Sequence, residues 1–168
     1  MRLRDRPTVE ETVLVPADPQ AVWQLVTDIE LPTRFDGELQ RVQWVPGFDR
    51  VALGARFRGT NTSEQMGTWT TECEVVDLEP GRRWVWAVRS EPEPLAHWGF
   101  EVEPSSRGTV VRQFAKMGTG FSGITMAIDD APEREGRIVA YRLGVWRQGI
   151  LANLAGIAAE FEPGASAR

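Results

Sequence analysis

Cysteine, histidine and tyrosine each occur once in these 168 residues, as Cys73, His97 and Tyr141, and that scarcity removes many familiar chemistries. A lone cysteine excludes an intrachain disulfide and suits a reducing compartment. One histidine with one cysteine cannot build a His/Cys zinc site, and no H-E-x-x-H, C-x-x-C, Walker or G-x-S-x-G pattern occurs. Neither a metal nor a cofactor is expected. Basic residues are outnumbered, 19 against 24 acidic ones, for a net charge of −5. A nucleic-acid partner, which would want a basic face, is therefore not expected. Long apolar runs are missing too. The longest uncharged stretches, Met117–Ile128 and Gln148–Ala159, fall short of the ~18 residues of a membrane span. The basic start, Met1 to Pro7, lacks the apolar run of a secretory leader, so a cytoplasmic protein is expected. Oligomeric state is not legible.

What the chain does have is tryptophan, seven in all, set in a strand-rich middle. Val9–Val15 reads as a strand. Asp18 as N-cap and Pro19 at the first helical position open a short helix, with Val22, Leu25, Val26 and Ile29 as its apolar stripe. Leu31–Phe35 reads as a second short helix or turn. Six further strands fit near Leu39–Val45, Ala55–Thr62, Thr68–Leu78, Arg83–Arg89, Leu95–Glu103 and Thr109–Met117, divided by proline and glycine. Spacing this close leaves no room for crossover helices, so the sheet should be antiparallel. The fold class is α+β: a curved antiparallel sheet of about seven strands with a long C-terminal helix to lie across it. Residues 8–161 form one domain in this reading, with 1–7 and 162–168 as flexible termini.

Hairpin arithmetic identifies an inner face. If Leu78 and Arg83 flank the Pro80–Gly81 turn, Val75 pairs with Trp86 and Cys73 with Val88. Trp69, Thr71, Cys73 and Val75 then share a face with Trp84, Trp86 and Val88, because strand side chains alternate. Thr70, Glu72, Glu74, Arg83 and Arg89 face solvent. Trp98, Phe100 and Val102 join the inner face, as do Phe57, Gly59 and Asn61. In the last strand Val111, Gln113 and Ala115 are assigned inward; a slip of one residue would exchange them for Arg112 and Phe114.

The tail helix is expected to start at Asp130, with Pro132 in its first turn and Glu133 completing a capping-box-like pattern, and to run to Phe161. Val139, Leu143, Trp146, Ile150, Leu154, Ile157 and Phe161 make its apolar stripe. Beside it runs a stripe of small residues, Val145, Gly149, Ala152, Gly156 and Ala159. Glycine inside a helix costs about 0.5–1 kcal/mol relative to alanine. These glycines serve either close approach of backbone or space kept open.

Taken together, Pro16–Pro19, Val22-Trp23, Asp28, Gly54–Phe57, Trp69, Val75–Arg82, Trp98–Glu101 and Gly108-Thr109 give the chain a family resemblance. From about Thr8 to Phe161 it resembles the START-like (SRPBCC) proteins of the polyketide cyclase/dehydrase and lipid transport type. That resemblance implies a helix-grip fold, with a deep apolar cavity between sheet and C-terminal helix that holds a hydrophobic or aromatic small molecule. The family includes cyclases, aromatases, lipid carriers, hormone receptors and chaperone-associated domains, so function has to be argued from the site.

Phe57, Asn61, Trp69, Thr71, Cys73, Trp84, Trp86, Trp98, Phe100 and Gln113 are the expected cavity residues from the sheet. From the tail helix come Tyr141, Val145, Gly149 and Ala152. Candidates for chemistry are Tyr141, as a hydrogen-bond donor to a carbonyl, the Asp129–Asp130 pair at the loop–helix junction, and Gln113. Helix capping accounts for the two aspartates more simply. His97 has the right intrinsic pKa for acid–base work, but its register points it outward. Gly118–Gly123 matches G-x-G-x-x-G without a βαβ unit around it, so it is read as a flexible loop at the cavity mouth. Asn61-Thr62-Ser63 matches a glycosylation sequon only formally. The expected function is binding of a hydrophobic or aromatic small molecule, as a cyclase- or aromatase-like enzyme of secondary metabolism. The alternatives are a non-catalytic hydrophobic-ligand or lipid carrier and a protein-interaction, chaperone-associated domain.

Overall fold

In the computed structural model, which describes residues 1–164, seven strands form one antiparallel sheet. They are β1 (Thr8–Val15), β2 (Leu39–Trp44), β3 (Arg56–Ser63), β4 (Gly67–Glu79), β5 (Arg83–Val88), β6 (Ala96–Ser105) and β7 (Gly108–Met117), with spatial order β1-β7-β6-β5-β4-β3-β2. Between β1 and β2 lie the helix α1 (Pro19–Val26) and a 3-10 turn, Leu31–Arg34. The Asp18 carboxylate accepts from the Gln20 N–H at 2.8 Å, which starts α1 where the sequence places it. Trp84 Nε1 donates to the Val26 carbonyl at 3.0 Å and pins the end of α1 to the sheet.

The β4–β5 hairpin differs by one residue from the simple count. Leu78 stands opposite Trp84, not Arg83, and Val76 forms a β-bulge between the pairs Val75–Trp86 and Asp77–Val85. The extra residue absorbs the slip. Val75–Trp86 and Cys73–Val88 therefore pair as the arithmetic has them, and the inner face is unchanged above the bulge.

On β7, Val111, Gln113 and Ala115 face inward and are buried. Phe114 faces outward yet is also buried, because its ring covers Gly99 and lies against the Arg83 and Arg112 guanidiniums, 5.3 and 4.9 Å from its centroid. Around it Glu10, Arg112, Glu101, Arg83 and Asp77 form an ion-pair row across the outer face.

After β7 the chain departs from expectation. Residues 123–130 form a helix, α2 (Gly123–Asp130), begun by Ser122, whose N–H donates to Thr125 Oγ1 at 2.8 Å. Asp129 and Asp130 end this helix, exposed, and do not open the next one. Pro132 has no N–H to continue α2, so the chain turns through a 3-10 segment, Pro132–Arg134. The long helix α3 then runs over Glu135–Glu160, 26 residues or about 39 Å. Gly118 and Gly120 do not form a cavity-mouth loop: any Cβ there would collide with the Pro94 and Glu93 carbonyls, so this loop is packed on residues 93–95. Segment 1–7, read from sequence as a flexible terminus, makes a 3-10 turn with Leu3 buried. The Leu3 N–H donates to Glu135 Oε1 at 2.9 Å, and Arg2 pairs with the same carboxylate. Of the other expected loose end, Ala165–Arg168 lie outside the described residues.

Candidate functional site

Between the concave face of the sheet and α3 lies a cavity of about 860 Å³, within the size range of small-molecule sites. Its walls follow from strand alternation. Phe57 and Asn61 come from β3, Trp69, Thr71 and Cys73 from β4, and Trp84 and Trp86 from β5. Trp98 and Phe100 come from β6, and Gln113 from β7. From α3 the cavity receives Arg142, Val145, Trp146, Gly149, Ala152 and Asn153.

The floor is a continuous aromatic surface. Trp84 and Trp86 stack with centroids 4.4 Å apart, and Trp86 lies nearly parallel to Trp98 at 6.5 Å. Trp98 meets Trp146 of α3 at 5.1 Å, while Phe57 meets Trp84 and Trp86 at 6.4 and 6.2 Å. Offset and tilted geometries of this kind suit the aromatic quadrupole; Trp84 and Phe57 are buried, and Trp69, Trp86 and Trp98 are the half-buried rings left partly open to a guest.

One polar pair sits within these walls. Asn153 Nδ2 donates to Gln113 Oε1 at 3.1 Å, and both side chains are buried. No side-chain nitrogen or oxygen shut off from open space lacks a partner among the described residues, so the polar valences these amides leave unused open onto the cavity. If both amides were flipped the bond would reverse, and the pair would still present one NH₂ and one carbonyl oxygen. Cys73 is no nucleophile: burial pushes its thiol up to about 12, against a smaller opposing effect of a hydrogen bond with Thr71.

Two expected residues stand elsewhere. Tyr141 is 57% exposed and lines no part of the cavity, because the face of α3 turned inward passes through Arg142 instead. Asp129 is exposed at the end of α2, away from the cavity wall. His97, opposite Ala87 and Lys116 on the outer face, has its pKa lowered by burial and then by the nearby Lys116 and Arg6 charges. The small-residue stripe of α3 divides. A Cβ on Gly149 would meet nothing within 4 Å, so this glycine borders open space. Gly156 lies beneath the ring of Phe35, which allows no Cβ there.

The sequence reading did not find the mouth of the cavity. Asp28, Asp36 and Glu38, from the segment between α1 and β2, stand there with Arg142. Arg142 donates from both Nη atoms to the two Glu38 oxygens at 2.6 and 2.7 Å, and its guanidinium lies 5.8 and 5.7 Å from the Trp69 and Trp146 rings. Only carboxylate–arginine complementarity across 104 positions could have signalled it. A second, more open groove of about 620 Å³, with Trp23, Trp44 and Leu78 on its walls, shares Asp28, Ile29 and Val42 with the cavity. Among the described residues no group of three or more His, Cys, Asp or Glu is placed to hold a metal, and no helix is long and apolar enough to cross a membrane.

Solved structures share this architecture. The polyketide cyclase-like protein Cgl2372 of Corynebacterium glutamicum is 24% identical, with a TM-score of 0.64 over 94% of this chain and 90% of that one. TTHA0849 of Thermus thermophilus is 19% identical, with a TM-score of 0.62 over 96% and 100%. The di-domain aromatase/cyclase StfQ of the steffimycin pathway is 16% identical, with a TM-score of 0.70 over 97% of this chain but 54% of its own, so the chain spans about half of that protein. At such identities these likenesses concern the fold. No curated protein matches the chain by sequence. The family model for polyketide cyclase / dehydrase and lipid transport matches residues 6–155, the whole of the sheet and most of α3, and the chain belongs to that family.

Proposed function

We propose that the chain binds a hydrophobic, polycyclic or polyketide-like small molecule in the cavity between its sheet and α3. One observation carries this reading: the cavity combines an aromatic floor with a buried amide pair, Gln113–Asn153. Apolar ring faces supply affinity, and the amide pair supplies orientation by meeting a ligand carbonyl or hydroxyl. Beyond the carboxylates at its mouth, the cavity offers no free acid or base among the described residues, since Cys73 is held as a thiol and Tyr141, Asp129 and His97 lie outside. Holding, rather than acid–base catalysis, is therefore what these walls do best.

A cyclase-like activity is the second reading, favoured by the same amide pair. Two amides in a dry pocket can fix keto oxygens of a flexible chain, so that it folds into one productive shape. The fold shared with StfQ, an aromatase/cyclase of the steffimycin pathway, lends this reading its substrate class.

The test begins with native mass spectrometry of freshly purified protein, to look for a co-purified small molecule. Titration with emodin, a planar polyketide-type anthraquinone, follows. Saturable quenching of tryptophan emission at one molecule per chain is expected. Absence of both a co-purified molecule and saturable quenching would overturn the reading.

A further inference from the structure

The charges around the cavity are unequal and already committed. Among the described residues Arg142 is the one cation on its walls, against the carboxylates of Asp28, Asp36 and Glu38. Arg142 is also engaged. Glu38 takes two of its N–H groups, Trp69 and Trp146 flank its guanidinium, and only 13% of its side chain is exposed. Asp28 is paired with Arg34, whereas Asp36 is exposed and has no ion pair among the described residues. Deeper in, the polar groups are the neutral side chains of Asn61, Thr71, Gln113 and Asn153.

We infer that the cavity discriminates against anionic ligands, and that Glu38 enforces this by occupying Arg142. An anionic guest seated on the aromatic floor would leave its charge without a partner in a desolvated site, which is strongly disfavoured. Among the described residues the one cation lining the cavity is Arg142, and there the guest must compete with a bidentate carboxylate that already neutralises its charge. On the way in, it must also pass Asp36. A neutral polycycle meets neither obstacle and can still satisfy the Gln113–Asn153 amides. Glu38 is thus a specificity-determining residue: a built-in carboxylate that competes with carboxylate- or sulfonate-bearing ligands. This inference rests on the reading of the cavity as the binding site.

A matched pair of fluorescent probes separates the two claims. N-phenylnaphthylamine and anilinonaphthalene sulfonate share one ring system and differ by a sulfonate. The wild-type protein should bind the neutral probe at least about tenfold more tightly. Glu38→Gln frees the Arg142 charge while keeping a hydrogen-bonding side chain, and should raise affinity for the sulfonate probe about tenfold with little change for the neutral one. Equal or tighter binding of the sulfonate by wild-type protein would overturn the inference and leave the binding cavity standing. Failure of both probes to bind would overturn the cavity reading and the inference with it. The wild-type comparison needs no variant, so it decides even if Glu38→Gln folds poorly.

Discussion

Two glycines of one helix should respond to the same substitution with opposite signs. Gly149 and Gly156 both lie inside α3, where alanine gains about 1 kcal/mol over glycine by restricting the unfolded chain and completing the helix surface. At Gly149 a new methyl group meets nothing within 4 Å. Gly149→Ala should therefore be stabilising by about 0.5–1 kcal/mol, and a domain of this size gains roughly 2–4 °C in Tm per kcal/mol. At Gly156 the methyl would run into the Phe35 ring, 2.5 Å from Cδ1 and nearer still to its neighbouring atoms. Relieving that overlap costs typically 1–3 kcal/mol, so the helix gain is cancelled or reversed and Tm should not rise. Phe35 belongs to the segment that carries Glu38 to the cavity mouth. Gly156→Ala should therefore also loosen the Glu38–Arg142 pair, readable as faster hydrogen exchange over residues 31–39. Calorimetry of the two single variants is the assay. A gain in Tm of similar size for both would refute the division of this stripe into an open part and a packed part.

Four further outcomes follow from the same geometry. Ala152→Leu should abolish quenching by emodin while Tm holds or rises, because the added side chain fills open cavity; a clear fall in Tm would mean that the position is packed. Trp98→Leu should weaken binding of the neutral probe roughly two- to twelvefold, the equivalent of about 0.5–1.5 kcal/mol of ring contact, while His97→Ala leaves it unchanged; the reverse ranking would turn β6 inside out. The folded-state pKa of His97 lies below its unfolded value, so its contribution to stability is present above the unfolded pKa of about 6.5 and is lost as pH falls below it. Urea unfolding should accordingly show a shallower acid-side decline in His97→Gln than in wild type. Cys73, with its thiol pushed up to about 12, should resist iodoacetamide at pH 8 in native protein and react on unfolding; rapid native labelling would contradict its burial.

The sheet was legible because its signals are local. Alternation with period two and turn residues at the hairpins decide which side chains share a face, and a bulge that adds one residue at Val76 left the pairs above it intact. The helical part was less legible for a definite reason. On α3 the inward face passes through Arg142, Val145, Trp146, Gly149, Ala152 and Asn153; periodicity finds Val145, Trp146, Gly149 and Ala152, but a search for apolar and small residues does not register the polar Arg142 and Asn153. Tyr141, one residue and about 100° away, looked the better candidate as an isolated side chain. α2 was missed because Gly118–Gly123 reads as loop, and the cap of its helix is a serine at the end of that loop. The mouth was invisible because Glu38 and Arg142 are brought together by the fold alone.

The order of strands also bears on how the molecule comes into being. β2 to β7 form a meander in which each strand pairs with the next, so these hairpins can form from neighbouring chain as soon as it is present. β1 is the exception: Thr8 lies opposite Lys116, and the first strand finds its only partner in the last. Glu11 of β1 in turn holds Arg147 of α3 at 2.5 Å. Closing a loop on that scale costs more chain entropy than closing any hairpin of the meander, and contacts of β1 with β7 and α3 must offset it. The roof of the cavity is therefore tied to the longest-range pairing in the sheet: loosening β1 loosens an anchor of the helix that closes over the tryptophans.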